Sequence, residues 1–183
     1  MRWYISGCVF SRYCLWAVGG ALLLLAHPTC AAVRQMEVTA YCKCGSCNGY
    51  TRGSWKFLKL DKWNRYVSEG PDRGDKYTGK TASGGKLVTP KPGLFSTDTA
   101  KRPYMIPFRV LPWNVTSRPG AIAADTRYYP FGTRMYVPGW GWGTVTDRGR
   151  DIKGPDRIDI FYKRHDQANA WGRQNVNVDI RTQ

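Results

Sequence analysis

The chain has 183 residues, with 28 Lys and Arg against 13 Asp and Glu, a formal net charge of +15. That length has room for one globular domain, or for one domain with a large insertion. A balance this basic calls for an anionic surface, whether nucleic acid, acidic wall polymer or membrane headgroups, and excludes none of the three by itself.

The first residues read as an export signal. Arg2 and Arg12 give a positive start, Leu15 to Ala26 is apolar, and Pro28-Thr29-Cys30-Ala31-Ala32 offers small residues for cleavage. The apolar run is about twelve residues, too short to span a bilayer comfortably. Residues 1–31 are therefore expected to be a signal peptide and residues 32–183 the folded part, secreted or held in the cell envelope (periplasm or cell wall). Stable membrane insertion is not expected once the signal is cleaved. Its removal takes away two arginines and no acids, lowering the charge to +13. Export makes nucleic acid the weakest of the three partners.

Next comes Met36 to Tyr41, an alternating strand-like piece, followed by Cys42-Lys43-Cys44-Gly45-Ser46-Cys47. Of the six cysteines, Cys8, Cys14 and Cys30 fall in the expected signal, which leaves three, an odd number. In an oxidising compartment they are compatible with one disulfide and one free thiol, with no bond, or with a three-thiolate zinc site whose fourth ligand lies elsewhere. One disulfide is the expectation, with Cys47 a better partner for Cys42 than Cys44 is. No metal and no cofactor is assigned.

Residues 48–80 and 86–117 fit a strand pattern less well. The first is rich in Lys, Arg, Trp, Tyr and Gly, and the second carries Pro90, Pro92, Pro103, Pro107 and Pro112. Both are expected to be insertions in the domain, and loops of such length often bind something. Beyond them, Ala121–Ala124, Arg134–Val137, Trp142–Thr146, Ile158–Tyr162 and Val176–Ile180 favour strand, separated by Pro- and Gly-containing turns. One short helix is expected at His165 to Trp171, capped by Asp166 and ended by Gly172. Short strands at close spacing predict a mainly β fold, a small barrel or sandwich.

Asp125, Asp147 and Asp159 each stand at or beside a strand-like piece. Asp159 interrupts an apolar run, so if Ile158 and Ile160 face one side of the strand it faces the other. In a cleft, burial and a second carboxylate would raise its pKa, as a proton donor to a glycosidic oxygen requires. Solvated, turn-capping aspartates are the plain alternative. Other chemistry has little to work with. The only histidines are His27 and His165, and no Gly-x-Ser-x-Gly or HExxH occurs. A Cys–His pair would need a clustered cysteine to meet His165, which the clustering argues against. Trp55, Trp63, Trp113, Trp140, Trp142 and Trp171 offer rings for sugar stacking, although at least half are expected to fill the core.

Ordered motifs then accumulate: Val38-Thr39-Ala40-Tyr41-Cys42, Thr81-Ala82-Ser83-Gly84, Ala123-Ala124-Asp125-Thr126, Pro130-Phe131-Gly132-Thr133, Asp147-Arg148-Gly149, Arg157-Ile158-Asp159-Ile160 and Trp171-Gly172-Arg173. In this order they resemble the 3D domain, a bacterial cell-wall domain named for three aspartates. The resemblance implies a six-stranded double-psi β-barrel, shared with the catalytic domain of membrane-bound lytic transglycosylase A and with expansins. It also implies lytic transglycosylase activity on the MurNAc–GlcNAc bond of peptidoglycan glycan strands, by a monomer. By position, Asp159 would be the acid/base, with Asp125 and Asp147 shaping the site. Thr81, Ser83, Lys153 and Trp171 match groove-lining positions. A non-catalytic, expansin-like wall-binding module is the alternative. Arg150 departs from the family's Asp-x-Gly-Gly pattern by replacing its second glycine.

Overall fold

The computed structural model describes residues 31–54, 60–70 and 72–181. The expected signal peptide lies outside the described residues except for Ala31. Six strands close into a barrel in the order β1 (Ala31–Tyr41), β7 (Arg157–Phe161), β4 (Gly120–Ala124), β6 (Gly141–Asp147), β5 (Arg134–Val137) and β8 (Gln174–Arg181), which returns to β1. β1 and β7 run parallel, as do β4 and β6, while the other pairs are antiparallel. Two parallel pairs in a closed six-stranded ring agree with a double-psi barrel. All six strand-like pieces of the sequence are barrel strands, the first and last longer than their apolar alternation suggested.

The interior is filled by every second residue. Met36 and Val38 from β1, Ile122 and Ala124 from β4, Met135 and Val137 from β5, Val145 from β6, Ile158 and Ile160 from β7, and Val178 and Ile180 from β8 form one buried cluster. Period-two alternation leaves the intervening residues on the outer face. β4 is buried on both faces. Ala121 and Ala123 turn outward and pack with Tyr41, Leu87 and Phe161. The outer face of β1, β7, β4 and β6 is thus partly roofed.

The two insertions lie outside the barrel and have their own structure. Within residues 48–80, β2 (Tyr50–Arg52) and β3 (Arg65–Val67) form a separate two-stranded sheet. Residues 86–117 carry α2 (Thr97–Lys101), a 3-10 turn at Pro103–Met105 and α3 (Ile106–Arg109). The buried Arg109 guanidinium ties these together by bonds to the Thr99 hydroxyl and the Asp98 carboxylate. Together with α1 (Gly45–Asn48), these elements add to the one helix expected. That helix is present as α4 (His165–Trp171), ended by Gly172, whose N–H bonds the Ala168 carbonyl. Its cap differs from expectation. Arg164 holds the N-cap position with no side-chain bond, and Asp166 sits in the first turn, paired to Arg164. Among the described residues no helix is long and apolar enough to cross a membrane.

The tryptophans divide between barrel and surface. Trp140 and Trp171 pack against the core, and Trp142 lies under the guanidinium groups of Arg134 and Arg181. Trp63 and Trp113 stand 96% and 68% exposed on the insertions. Trp55 lies outside the described residues.

Candidate active site

Register brings four residues into one row across the outer face. Thr39 on β1 pairs with Asp159 on β7, Asp159 pairs with Ala123 on β4, and Ala123 pairs with Asp147 on β6. Adjacent strands lie about 4.8 Å apart, so the two aspartates flank a single alanine. The Ala123 methyl group between them is buried against Tyr41, Leu87 and Phe161. As the alternation required, Ile158 and Ile160 point into the barrel and Asp159 points out.

The two carboxylates have different surroundings. Asp147 accepts hydrogen bonds from the Tyr41 hydroxyl at 3.1 Å, the Ala82 N–H at 2.9 Å and the Arg148 N–H at 2.9 Å. Asp159 has a buried Oδ1 with no hydrogen-bond partner among the described residues. Burial pushes its carboxyl up to about 7; the Thr39 side chain and the Ile160 backbone oppose the rise, and the Asp147 charge adds to it. Its acid form thus persists to far higher pH than that of an ordinary carboxyl. Tyr41 is forced well above the usual phenol range by burial first and then by Asp147, so its hydroxyl stays a donor. Burial, Tyr50 and Asp147 push Tyr77 up to about 12.

Asp125 is engaged elsewhere. Its oxygens accept from the Arg127 guanidinium at 2.7 and 3.0 Å, from the Arg127 N–H at 3.1 Å and from the Gly154 N–H at 3.0 Å. The Arg127 side chain, then the Gly154 N–H, hold this carboxyl well below the ordinary range. It fastens the turn after β4 to the loop that presents the exposed Lys153. A shallow pocket joins Asp125 and Lys153 to Arg148, next to Asp147. No hydrogen bond joins Asp125 to Asp147 or Asp159 among the described residues.

Thr81, Ser83 and Trp171 complete the expected set. Thr81 is buried; its hydroxyl accepts from the Gly85 N–H at 2.9 Å and meets the Ser83 hydroxyl at 3.1 Å. The exposed Ser83 is bound to the end of β6 through its N–H to the Thr146 carbonyl at 3.0 Å. Residues 81–85 therefore form a tight turn beside Asp147. Trp171 donates its indole N–H to the Val38 carbonyl at 3.2 Å and packs at the barrel end. One row before Asp159 on the same face, Glu37 and Arg157 border a polar cavity of about 500 Å³ that Lys153 also lines.

Sequence reasoning left Thr39, Tyr41 and Tyr77 without roles. Thr39 and Tyr41 stood inside a quoted motif, but only the tertiary structure shows that Thr39 pairs with Asp159 and that the Tyr41 hydroxyl meets Asp147. Arg150 fastens one loop to another. Its guanidinium lies over Gly70 and donates to the Glu69 carbonyl at 3.2 Å, tying the first insertion to the Asp147 loop.

The cysteines correct two expectations. Cys42, Cys44 and Cys47 are all free, with Cys42 Sγ and Cys47 Sγ 3.7 Å apart, well beyond a disulfide's bond length of about 2.05 Å. All three also meet His165, which the clustering had argued against. Their sulfurs lie 3.7, 3.3 and 3.5 Å from its Nδ1. The fold makes this contact because Tyr41 and Phe161 end adjacent parallel strands, bringing the turns after β1 and β7 together.

The family profile of the 3D domain matches residues 120–182, the stretch holding all three aspartates. This stretch of the chain is therefore similar to the 3D domain. Over 69 residues it is 35% identical to the putative cell wall shaping protein YabE of Bacillus subtilis, covering 37% of this chain and 17% of that protein. Over 59 residues it is 39% identical to the cell wall-binding protein YocH of the same organism, covering 32% of this chain and 20% of that one. The match thus spans a fifth or less of each relative. The matched stretch holds β4 to β8 of the barrel, while β1 and the 81–85 turn lie ahead of it.

Proposed function

We propose that this protein acts in the cell envelope as a lytic transglycosylase, cutting the MurNAc–GlcNAc bond of peptidoglycan without water. The observation that supports it is Asp159, a largely buried carboxyl with an unpartnered oxygen and a pKa raised by burial, beside a second carboxylate. The names of the two relatives, a putative cell wall shaping protein and a cell wall-binding protein, also support a role at the wall.

Asp159 donates its proton to the glycosidic oxygen as the C1–O bond breaks, releasing the GlcNAc hydroxyl. The C6 hydroxyl of the same MurNAc then attacks C1, and its proton returns to Asp159, leaving a 1,6-anhydro end. Asp147, held by Tyr41 and two backbone N–H groups, faces the positive charge that develops on the sugar. Asp125 holds the Lys153 loop, and the exposed Ser83 and Lys153 are placed to meet the glycan. Trp171 supports β1 from behind.

Asp159→Asn keeps size and hydrogen bonding but cannot cycle a proton. Release of anhydro-ended muropeptides from purified sacculi should fall about 10²–10⁴-fold. Sedimentation with the same sacculi should be nearly unchanged. Cleavage by Asp159→Asn at the wild-type rate would remove Asp159 from the mechanism. Binding without any cleavage by the wild type would leave the expansin-like wall-binding reading, which the name of the cell wall-binding relative favours.

A further inference from the structure

Beyond the carboxylates, the same face ends in a second cluster of chemistry-bearing side chains. Along β1 and β7 the outward rows run Glu37 with Arg157, Thr39 with Asp159, and Tyr41 with Phe161. The next residues after Tyr41 build a knuckle. Cys42 enters it, α1 turns through Gly45–Asn48, and Gly49 closes it in a left-handed conformation with φ 56°. Gly45 is required, because a Cβ there would stand 2.6 Å from the Tyr50 carbonyl oxygen. Asn48 ties the knuckle shut by donating its side-chain amide to the Cys42 and Cys44 carbonyls. His165, opening α4 just after β7, completes the group.

We infer that Cys42, Cys44, Cys47 and His165 Nδ1 form a tetrahedral site for a structural zinc ion. Zinc bound at about 2.3 Å to sulfur and about 2.05 Å to nitrogen sets tetrahedral S···S and S···N separations of about 3.8 and 3.6 Å. The observed S···S distance of 3.7 Å and S···N distances of 3.3 to 3.7 Å match that shell. All four ligand atoms lie within 4.8 Å of one another. A disulfide would need two sulfurs to close by well over 1 Å and would leave the third and the imidazole unused. A cysteine nucleophile needs one sulfur and one base, whereas here three sulfurs share one nitrogen and Cys42 is buried.

Neighbouring groups suit thiolates. The Cys44 N–H donates to Cys42 Sγ at 3.4 Å, and Lys43, Lys163 and Arg164 flank the ligands in the chain. Zinc with three thiolates and a neutral imidazole carries one negative charge, beside this basic stretch of chain. Three sulfurs and one nitrogen leave no open position, so the site is a clamp. It joins the turn after β1 to the start of α4. It thereby anchors Tyr41, whose hydroxyl holds Asp147.

The test is metal analysis of the full chain, purified from the exported fraction without chelator. One zinc per chain is expected, and replacement by cobalt(II) should give the visible bands of a tetrahedral site with thiolate charge transfer. Cys44→Ser and His165→Asn should each retain at least about tenfold less zinc against a competing chelator. Asp166→Asn, one residue from the ligand, should retain it all. Should the ligand variants fail to fold, the wild-type cobalt spectrum still decides the donor set. A disulfide among the three cysteines, three free thiols with no metal, or zinc kept undiminished by both ligand variants would overturn the assignment.

Discussion

Asp159 shows how one residue's setting becomes a measurable property of the whole chain. Its folded-state pKa of about 7 lies above the ordinary 3.8, so between those values the folded protein holds a proton that the unfolded chain has lost. Stability must then fall as pH rises through that window, since the state binding more protons loses ground. Asp159→Asn should abolish this fall, and its stability advantage over wild type should grow from about pH 4 to about pH 7. Urea unfolding at several pH values checks this, and parallel curves for the two proteins would mean that Asp159 is not buried as described. For cleavage the same shift means that the acid form is depleted above about pH 7. The rate should decline on that side. Asp125 behaves oppositely: Arg127 and Gly154 keep it charged, and it contributes at neutral pH what it loses in strong acid.

At the scale of elements, the insertions are fastened by arginines. Arg109 closes the second one on itself through Asp98 and Thr99. Arg150 joins the first to the Asp147 loop through the Glu69 carbonyl. Glycine stands at this position in the pattern that the chain resembles, and Arg150→Gly removes this contact. Amide exchange in residues 65–77 should quicken, while β7 and β4 keep their protection. One exposed hydrogen bond to a charged group contributes roughly 1.5–3 kcal/mol at most, so global stability should shift by less than that. Unchanged exchange in residues 65–77 would mean that the hairpin is held by other contacts, such as the Tyr50–Tyr77 stack at 4.5 Å.

Across the whole molecule, charge and shape act together. A net charge of +15, with exposed Lys153, Arg148 and Arg150 bordering the carboxylate row, suits an acidic wall polymer. Screening shortens from about 10 Å at 0.1 M salt to about 3 Å at 1 M. Binding to sacculi should weaken steeply over that range for wild type and Asp159→Asn alike. Salt-insensitive binding would instead shift the weight to stacking by exposed rings such as Trp63 and Trp113.

The six strands, the outward direction of Asp159 and the helix at residues 165–171 were legible in the sequence because each depends on local periodicity or on one glycine. The three aspartates were legible as residues, and their motif order as a family. What only the tertiary structure decided was company. Strand register, which no local pattern encodes, set Asp159 and Asp147 on either side of Ala123 and left Asp125 with Arg127 and Gly154. Two insertions that read as loops became a hairpin and short helices through contacts made mainly within each insertion, such as those of Arg109 with Asp98 and Thr99. The parallel pairing of β1 with β7 carried His165 across more than a hundred residues of chain to the three cysteines. Sequence spacing could present those cysteines as a disulfide or as a metal site. The choice turned on where a single imidazole nitrogen lies, which closure of the barrel determines.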